Sequence, residues 1–457
     1  MKVAIIGCTH AGISAMKQCL KYYPDAAITV YERSSEISYL SCATYLHIGG
    51  TVDDLDKVLY ADPQEFRDQN VTMRMQYDVI KIDAKEHTIL SQDLKTKKFV
   101  NDDYDKLIMA TGSRTSIPVI AGIENPKVML CKTFSQAHKL YEAGQSHHKI
   151  AILGGGYAGV ELAEGFVKSG HEVILFQRNK QLLNEYTDPV IADKIHQLLV
   201  EHHIVVSAGT NVLSFSDTAD QRILVTTDRK NYEVDMVAIC PGVLPQSDLL
   251  KGQVKLAKNG AIITNEYMET SDPDIFAAGD VAENNYNLTV DPIYVPLASH
   301  AIRQGTLAGM NLFGHRVKSL GTQATTGMLL FGQTVACTGL TLKAASKTAF
   351  DAQSVFFEAD YRPDFMPETD HIAIELVYDR KTRRVLGAQL MSPHEVAQSA
   401  NTISVIIQNK NTIDDLAYID MLFSPNFNEP FNYLNLAAQK AIDQEYTHQL
   451  KLEKTDS

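Results

Sequence analysis

Several protein classes leave marks that this sequence lacks. Its six cysteines, Cys8, Cys19, Cys42, Cys131, Cys240 and Cys337, are scattered, with no C-x-x-C pair and no zinc-ligand spacing. That excludes a zinc finger or ribbon and the disulfide framework of a small secreted domain, and fits a reducing compartment. The position five residues after Cys42 holds His47, so a C-x4-C redox disulfide is excluded there. No apolar run approaches the ~18 residues needed to cross a bilayer. Basic charge is scarce, 42 Lys and Arg against 55 Asp and Glu for a net charge of -13, which argues against nucleic acid or an anionic membrane as partner. The charge serves solubility. The opening MKVAIIG reads as a strand entering a glycine turn rather than a secretion signal, and a cytoplasmic protein is expected. Low-complexity segments are absent as well.

What is present is an internal repeat. KVAIIGCTHAG from Lys2 and KIAILGGGYAG from Lys149 superimpose at an offset of 147 residues. Each copy reads as a short apolar strand, a glycine turn and a helix: Gly7-x-x-x-x-Gly12 in the first, Gly154-x-Gly156-x-x-Gly159 in the second. A further strand follows in each, AAITVYER at 26–33 and HEVILFQR at 171–178. This is the βαβ dinucleotide-binding pattern, in which glycine lets the backbone close on a pyrophosphate at the positive end of a helix. One such turn is weak evidence; two in matching context are strong.

The second strand of each unit ends where the adenosine ribose is read. Glu32, 25 residues after Gly7, can accept from ribose hydroxyls and repel a 2′-phosphate, which suits FAD or NAD. In the second copy Gln177, 23 residues after Gly154, is followed by Arg178. No acid excludes a 2′-phosphate there and Arg178 can pair with one, so NADPH is admitted beside NADH; the alternative makes Arg178 a solvated turn residue.

Two more segments extend the plan: YDKLIMATGS at 104–113, a strand delivering a Thr111-Gly112 turn, and DIFAAGD at 274–280, a strand ending on Gly279-Asp280. After residue 325 the pattern changes to the strands GMLLFGQTVACTGL, HIAIELVYD and VLGAQLMS, a helix over about 394–409 and an aromatic run at 421–434. The fold class is α/β, with two Rossmann-like dinucleotide-binding domains and a C-terminal α+β domain. The expected boundaries are 1–115 and 246–325 for the two parts of the first dinucleotide domain, 116–245 for the second, and 326–457 for the last. The tail from Tyr446 is expected to be frayed.

Tandem dinucleotide folds with ATG and AAGD segments resemble the FAD-dependent pyridine nucleotide–disulfide oxidoreductases over essentially the whole chain. Within that superfamily GCTHAG at 7–12, SYLSCATY at 38–45, RPDFMPETD at 362–370 and DMLFSPNFNEPFNYLN at 420–435 are most similar to water-forming NADH oxidases, relatives of the NADH peroxidases. The resemblance implies that Gly7, Gly12, Glu32, Thr111, Gly112, Gly279 and Asp280 bind FAD. It implies that Gly154, Gly156 and Gly159, with Gln177 and Arg178, bind NADH or NADPH, that Tyr157 shields the flavin, and that Glu161 places the nicotinamide. The plain alternatives are a turn aromatic for Tyr157 and a first-turn acid for Glu161. A metal is not expected. The C-terminal domain implies a homodimer or a dimer of dimers.

The resemblance further implies a four-electron reduction of O2 to water, with NAD(P)H and O2 as the small-molecule partners. Peroxide formed at the flavin meets the Cys42 thiolate; one water leaves, Cys42 becomes sulfenic acid, and further reduction restores the thiolate with a second water. Ser41 and Thr44 are expected to settle that thiolate. The other five cysteines read as small buried hydrophobes. His10, in the first glycine turn where the second copy has Tyr157, is the expected proton handler. Departures are Ala43, where the family often has glycine, and Gln177, where it has an acid. Competing readings are an NADH peroxidase with the same thiol chemistry, a coenzyme A-disulfide reductase, against which His10 and RPDFMP argue, and a non-enzymatic redox-sensing flavoprotein.

Overall fold

The computed structural model describes residues 1–455, which divide into two compact units. The first is assembled from residues 1–148, 235–285 and 291–321, the second from 149–234, 286–290 and 322–457.

In the first unit a five-stranded parallel sheet runs in the order Ile275–Ala277, Lys106–Met109, Lys2–Ile6, Ala27–Glu32, Thr72–Met75. Its central strands are near-continuous apolar runs, as a parallel sheet covered on both faces requires. Ile5, Val30 and Ile108 pack on one face with the His10–Tyr22 helix, and Ile6, Leu107 and Ile275 lie in a separate cluster. An antiparallel three-stranded sheet follows (Tyr77–Asp83, Thr88–Asp93, Phe99–Asp103). The unit also pairs Val128–Leu130 with Met236–Ile239 in parallel, and Ser113–Thr115 with Val243–Pro245 antiparallel.

The second unit repeats the strand–turn–helix–strand order: Lys149–Leu153 pairs in parallel with Glu172–Gln177, which pairs with Val205–Ala208. Its C-terminal portion is an antiparallel five-stranded sheet in the order Thr326–Leu330, Gln333–Gly339, Val385–Ser392, His371–Asp379, Ala352–Asp360. The helix expected over 394–409 spans Ala397–Gln408. The aromatic run leaves Leu422, Phe423, Phe427 and Phe431 exposed.

The chain end differs from its expectation. In place of a fray from Tyr446, one helix runs Tyr433–Thr455. Gln444 donates to the Ser354 carbonyl at 3.1 Å, and the Glu445 carboxylate accepts from the Tyr378 hydroxyl at 2.8 Å and from Arg380 at 3.1 Å. Tertiary anchors of this kind supply the stability that helix propensity alone does not.

Candidate active site

The two glycine turns have the same construction. In the first, the Gly7 amide donates to Tyr31 O at 2.8 Å; in the second, the Gly154 amide donates to Phe176 O at 2.9 Å. Gly7 and Gly154 sit at φ +96° and +121°, a region L side chains avoid. A Cβ on Gly12 would lie 1.9 Å from Gly7 O, and one on Gly159 would lie 1.8 Å from Gly154 O. These later glycines let each helix close onto its own turn. The helices begin at His10 and Tyr157, and neither Thr9 nor Gly156 at the cap makes a side-chain hydrogen bond to the first turn. The backbone amides at both helix starts are therefore available to an anion.

In the first unit a cleft of about 350 Å³ opens at the carboxyl ends of the parallel strands, where open α/β sheets bind ligands. It gathers Gly7, His10, Glu32, Thr111, Gly112, Gly279 and Asp280, supplied from the carboxyl ends of four neighbouring strands of that sheet. Gly12 lies buried beneath, in the helix. Glu32 Oε2 accepts from the Cys8 amide and Oε1 from the Ser34 amide, both at 2.8 Å. Each oxygen keeps a further acceptor position for a ligand hydroxyl. The Thr111 hydroxyl is committed to Gln246 O at 2.6 Å, and Gln246 returns a bond to Thr111 O at 2.9 Å. Thr111 thus shapes the wall through its backbone.

Asp280 accepts from the Ser113 hydroxyl at 2.6 Å and has the Lys132 ammonium at 3.8 Å. Neither Ser113 nor Lys132 is singled out by the sequence: Ser113 closes the YDKLIMATGS segment beside Gly112, and Lys132 follows the Val128–Leu130 strand with no glycine signature. His10 shares a 2.9 Å hydrogen bond between Nδ1 and the Tyr60 hydroxyl. Burial holds His10 below its ordinary value, with Lys132 adding to the depression and Asp280 opposing it. Burial pushes Tyr60 up to about 12, so its hydroxyl stays protonated near neutrality and can donate to Nδ1, leaving the imidazole proton on Nε2. Tyr60 lies 50 residues from His10 and has no sequence signal.

Tyr39 and Ser41 line the same cleft; Cys42, next in the Ser41–Ala43 turn, is exposed and is not among the lining residues. Thr44 does not settle a thiolate as expected. Its hydroxyl donates to Ser41 O at 2.8 Å and shares a 2.6 Å bond with Tyr39, so its one proton is spent locally.

In the second unit Tyr157 opens its helix with its ring edge-on to Tyr186 at 4.6 Å, and its hydroxyl is buried. Glu161 lies beyond the first turn of the helix, which contains no acid, so the plain dipole explanation fails. Burial, then the Glu164 carboxylate, push Glu161 up to about 8. Gln177 ends its strand with Oε1 accepting from the Arg178 amide at 3.1 Å, and Arg178 is exposed.

Residues 1–305 match the pyridine nucleotide-disulphide oxidoreductase family and residues 325–434 its dimerisation domain. An NADH oxidase of Enterococcus faecalis is 43% identical over 97% of this chain and 100% of its own. The structure of a water-forming NADH oxidase from Lactobacillus brevis, bound to NADH, is 45% identical with a TM-score of 0.96, covering 98% of this chain and 99% of that one. An engineered form of that oxidase, described as a water-forming NADPH oxidase bound to NADPH, matches equally at 45% and 0.96, over 98% and 100% of the two chains. Among its substitutions an aspartate became alanine and the adjacent alanine became arginine.

Proposed function

Since the chain belongs to the pyridine nucleotide-disulphide oxidoreductase family, we propose that it is an FAD-dependent NAD(P)H oxidase that reduces O2 to water and works as a homodimer in the cytoplasm. The observation that carries this reading is one cleft uniting a glycine turn, the doubly pinned Glu32 carboxylate, Asp280 and His10, with Ser41 of the SYLSC turn on its wall. The cleft fits FAD. The uncapped amides at the start of the His10–Tyr22 helix suit a pyrophosphate, and Glu32 presents oxygens to ribose hydroxyls.

FAD held there would supply the acceptor for hydride from NAD(P)H and the route of electrons to O2. The protein's own groups do the rest. Amides at the start of the His10–Tyr22 helix hold the pyrophosphate, and Glu32 orients the adenosine ribose. Asp280, fixed by Ser113, would help to hold bound FAD. His10, oriented by Tyr60, keeps a proton on Nε2 for delivery to reduced oxygen. The Cys42 thiolate attacks a peroxide oxygen; the O–O bond breaks, one water leaves after protonation, and Cys42 becomes sulfenic acid. Two electrons and a proton then return the thiolate and release the second water.

In the second unit Tyr157 and Glu161 place the nicotinamide end of the dinucleotide. Gln177 and Arg178 admit NADPH beside NADH: no acid opposes a 2′-phosphate, and Arg178 is a cation for it. The engineered NADPH oxidase, which lost an aspartate and gained an arginine, supports this assignment. The exposed Leu422, Phe423, Phe427 and Phe431 suit the dimer contact of the matched dimerisation domain.

Oxygen consumed per NADH oxidised, with peroxide assayed in parallel, tests the reading. Half an oxygen per NADH with negligible peroxide is the expected result. Stoichiometric peroxide overturns water formation, and NADH oxidation only on adding peroxide makes the protein a peroxidase. Cys42→Ser should shift the product from water to peroxide; unchanged product removes Cys42 from the mechanism.

A further inference from the structure

Two cysteines read from sequence as inert fillers meet in the first unit. Cys131 follows the Val128–Leu130 strand and Cys240 follows Met236–Ile239; these strands pair in parallel with Leu130 opposite Ile239, which sets the two cysteines side by side. Their sulfurs lie 3.5 Å apart, and both residues are partly exposed. Adjacent strands are spaced by about 4.8 Å, inside the Cα separation of about 4.4–6.8 Å that a disulfide spans. Covalent closure therefore needs only a small side-chain movement. The hydrogen bond from the Cys240 thiol holds Cys131 below the usual thiol range, helped by the Lys132 ammonium and opposed by burial, while Cys240 is pushed up. One sulfur is thus the better nucleophile and the other the proton-bearing partner, the division of labour a dithiol couple requires.

Both strand ends lead into the cleft wall. Cys131 precedes Lys132, Thr133 and Phe134, which line it, and Cys240 leads through Gly242 to Gln246, whose amide donates to Gly112 O at 2.9 Å.

We propose that Cys131 and Cys240 form a reversible thiol–disulfide couple, oxidised by a hydroperoxide such as hydrogen peroxide, that ties together two segments of the cleft wall. The Cys131 thiolate attacks one peroxide oxygen, breaking the O–O bond, and becomes sulfenic acid while the other oxygen leaves as water after protonation. The Cys240 sulfur then attacks the Cys131 sulfur, forming the S–S bond and releasing the hydroxyl, which takes the Cys240 proton, as a second water. A dithiol reductant reverses the step by exchange. This couple is separate from Cys42, whose peroxide chemistry needs no second thiol.

Flavin-loaded protein is treated with graded hydrogen peroxide, quenched by alkylation and mapped by mass spectrometry. The expected result is a peptide pair joined through Cys131 and Cys240, with both thiols lost together and both recovered with dithiothreitol. Recovery of the two as alkylated thiols at a dose that fully oxidises Cys42 overturns the proposal, as does pairing of either with another cysteine. The second readout is flavin release, followed by fluorescence: the oxidised protein should release flavin about threefold more slowly or less, the direction a new cross-link imposes. The double variant Cys131→Ser, Cys240→Ser should show no peroxide effect on that rate. Equal rates for oxidised and reduced wild type refute the tie to the cleft, and the mapping on the wild type stands whether or not the variant folds.

Discussion

His10 Nδ1 and the Tyr60 hydroxyl are 2.9 Å apart, with parallel rings whose centroids are separated by 5.7 Å. This pairing orients the imidazole, and burial keeps it neutral at pH 7. An NMR titration should place the His10 midpoint below the ordinary ~6.5. In linkage terms, the unfolded chain takes this proton first as pH falls. The contribution of His10 to stability is present above ~6.5 and is lost as pH drops through the lower folded value. Tyr60→Phe should release the tautomer, seen as a changed pattern of ring-nitrogen shifts; a midpoint at or above the ordinary value would refute the burial argument.

Gly12→Ala sets a Cβ against Gly7 O at a distance no relaxation of a side chain can relieve, because the opposing atom is backbone. The cost is about 1–3 kcal/mol by overpacking. Thermal melts of the flavin-free protein and flavin per chain should both fall; normal flavin content would show that the turn does not hold the cofactor.

Glu32→Ala strands the amides of Cys8 and Ser34, each loss worth about 1–3 kcal/mol if water does not replace the carboxylate. Flavin dissociation constants measured by fluorescence quenching should rise by about tenfold or more. An unchanged constant would leave Glu32 with a purely structural part.

Arg178 is exposed at the end of its strand. Arg178→Ala should lower kcat/KM for NADPH about tenfold and leave that for NADH within about twofold. Equal losses with both coenzymes would return Arg178 to the role of a solvated turn residue.

Glu161, raised to about 8, is a carboxyl group that stays protonated at neutrality in the folded protein. For an acid raised in this way, stability is full below the unfolded value of ~4.5 and is lost as pH rises through about 8. Glu161→Gln should flatten that decline and raise stability by about 1–3 kcal/mol near pH 8. Denaturant melts across the interval check it, and a variant with the same slope as the parent would exclude Glu161 as its source.

The glycine turns were legible because their requirement is local. Gly7 and Gly154 need a positive φ and the later glycines need a missing Cβ, and both constraints act within six residues of chain. Glu32 was legible because a strand of fixed rise carries it a fixed distance from the turn. Thr44 misled because a hydroxyl has one proton and a nearby carbonyl, Ser41 O, claimed it.

By itself the sequence determined the fold class, the two dinucleotide turns and the candidates His10, Glu32 and Cys42, since strand and helix periods and glycine spacing are short-range properties. Only the tertiary structure decided which groups tune those candidates. Tyr60 on His10, Ser113 and Lys132 at Asp280, and the meeting of Cys131 with Cys240 all depend on strand order and register, which bring together residues far apart in the chain. Hydrogen bonding and charge coupling fall off within a few ångströms, so proximity in space, rather than along the chain, sets the chemistry of each group.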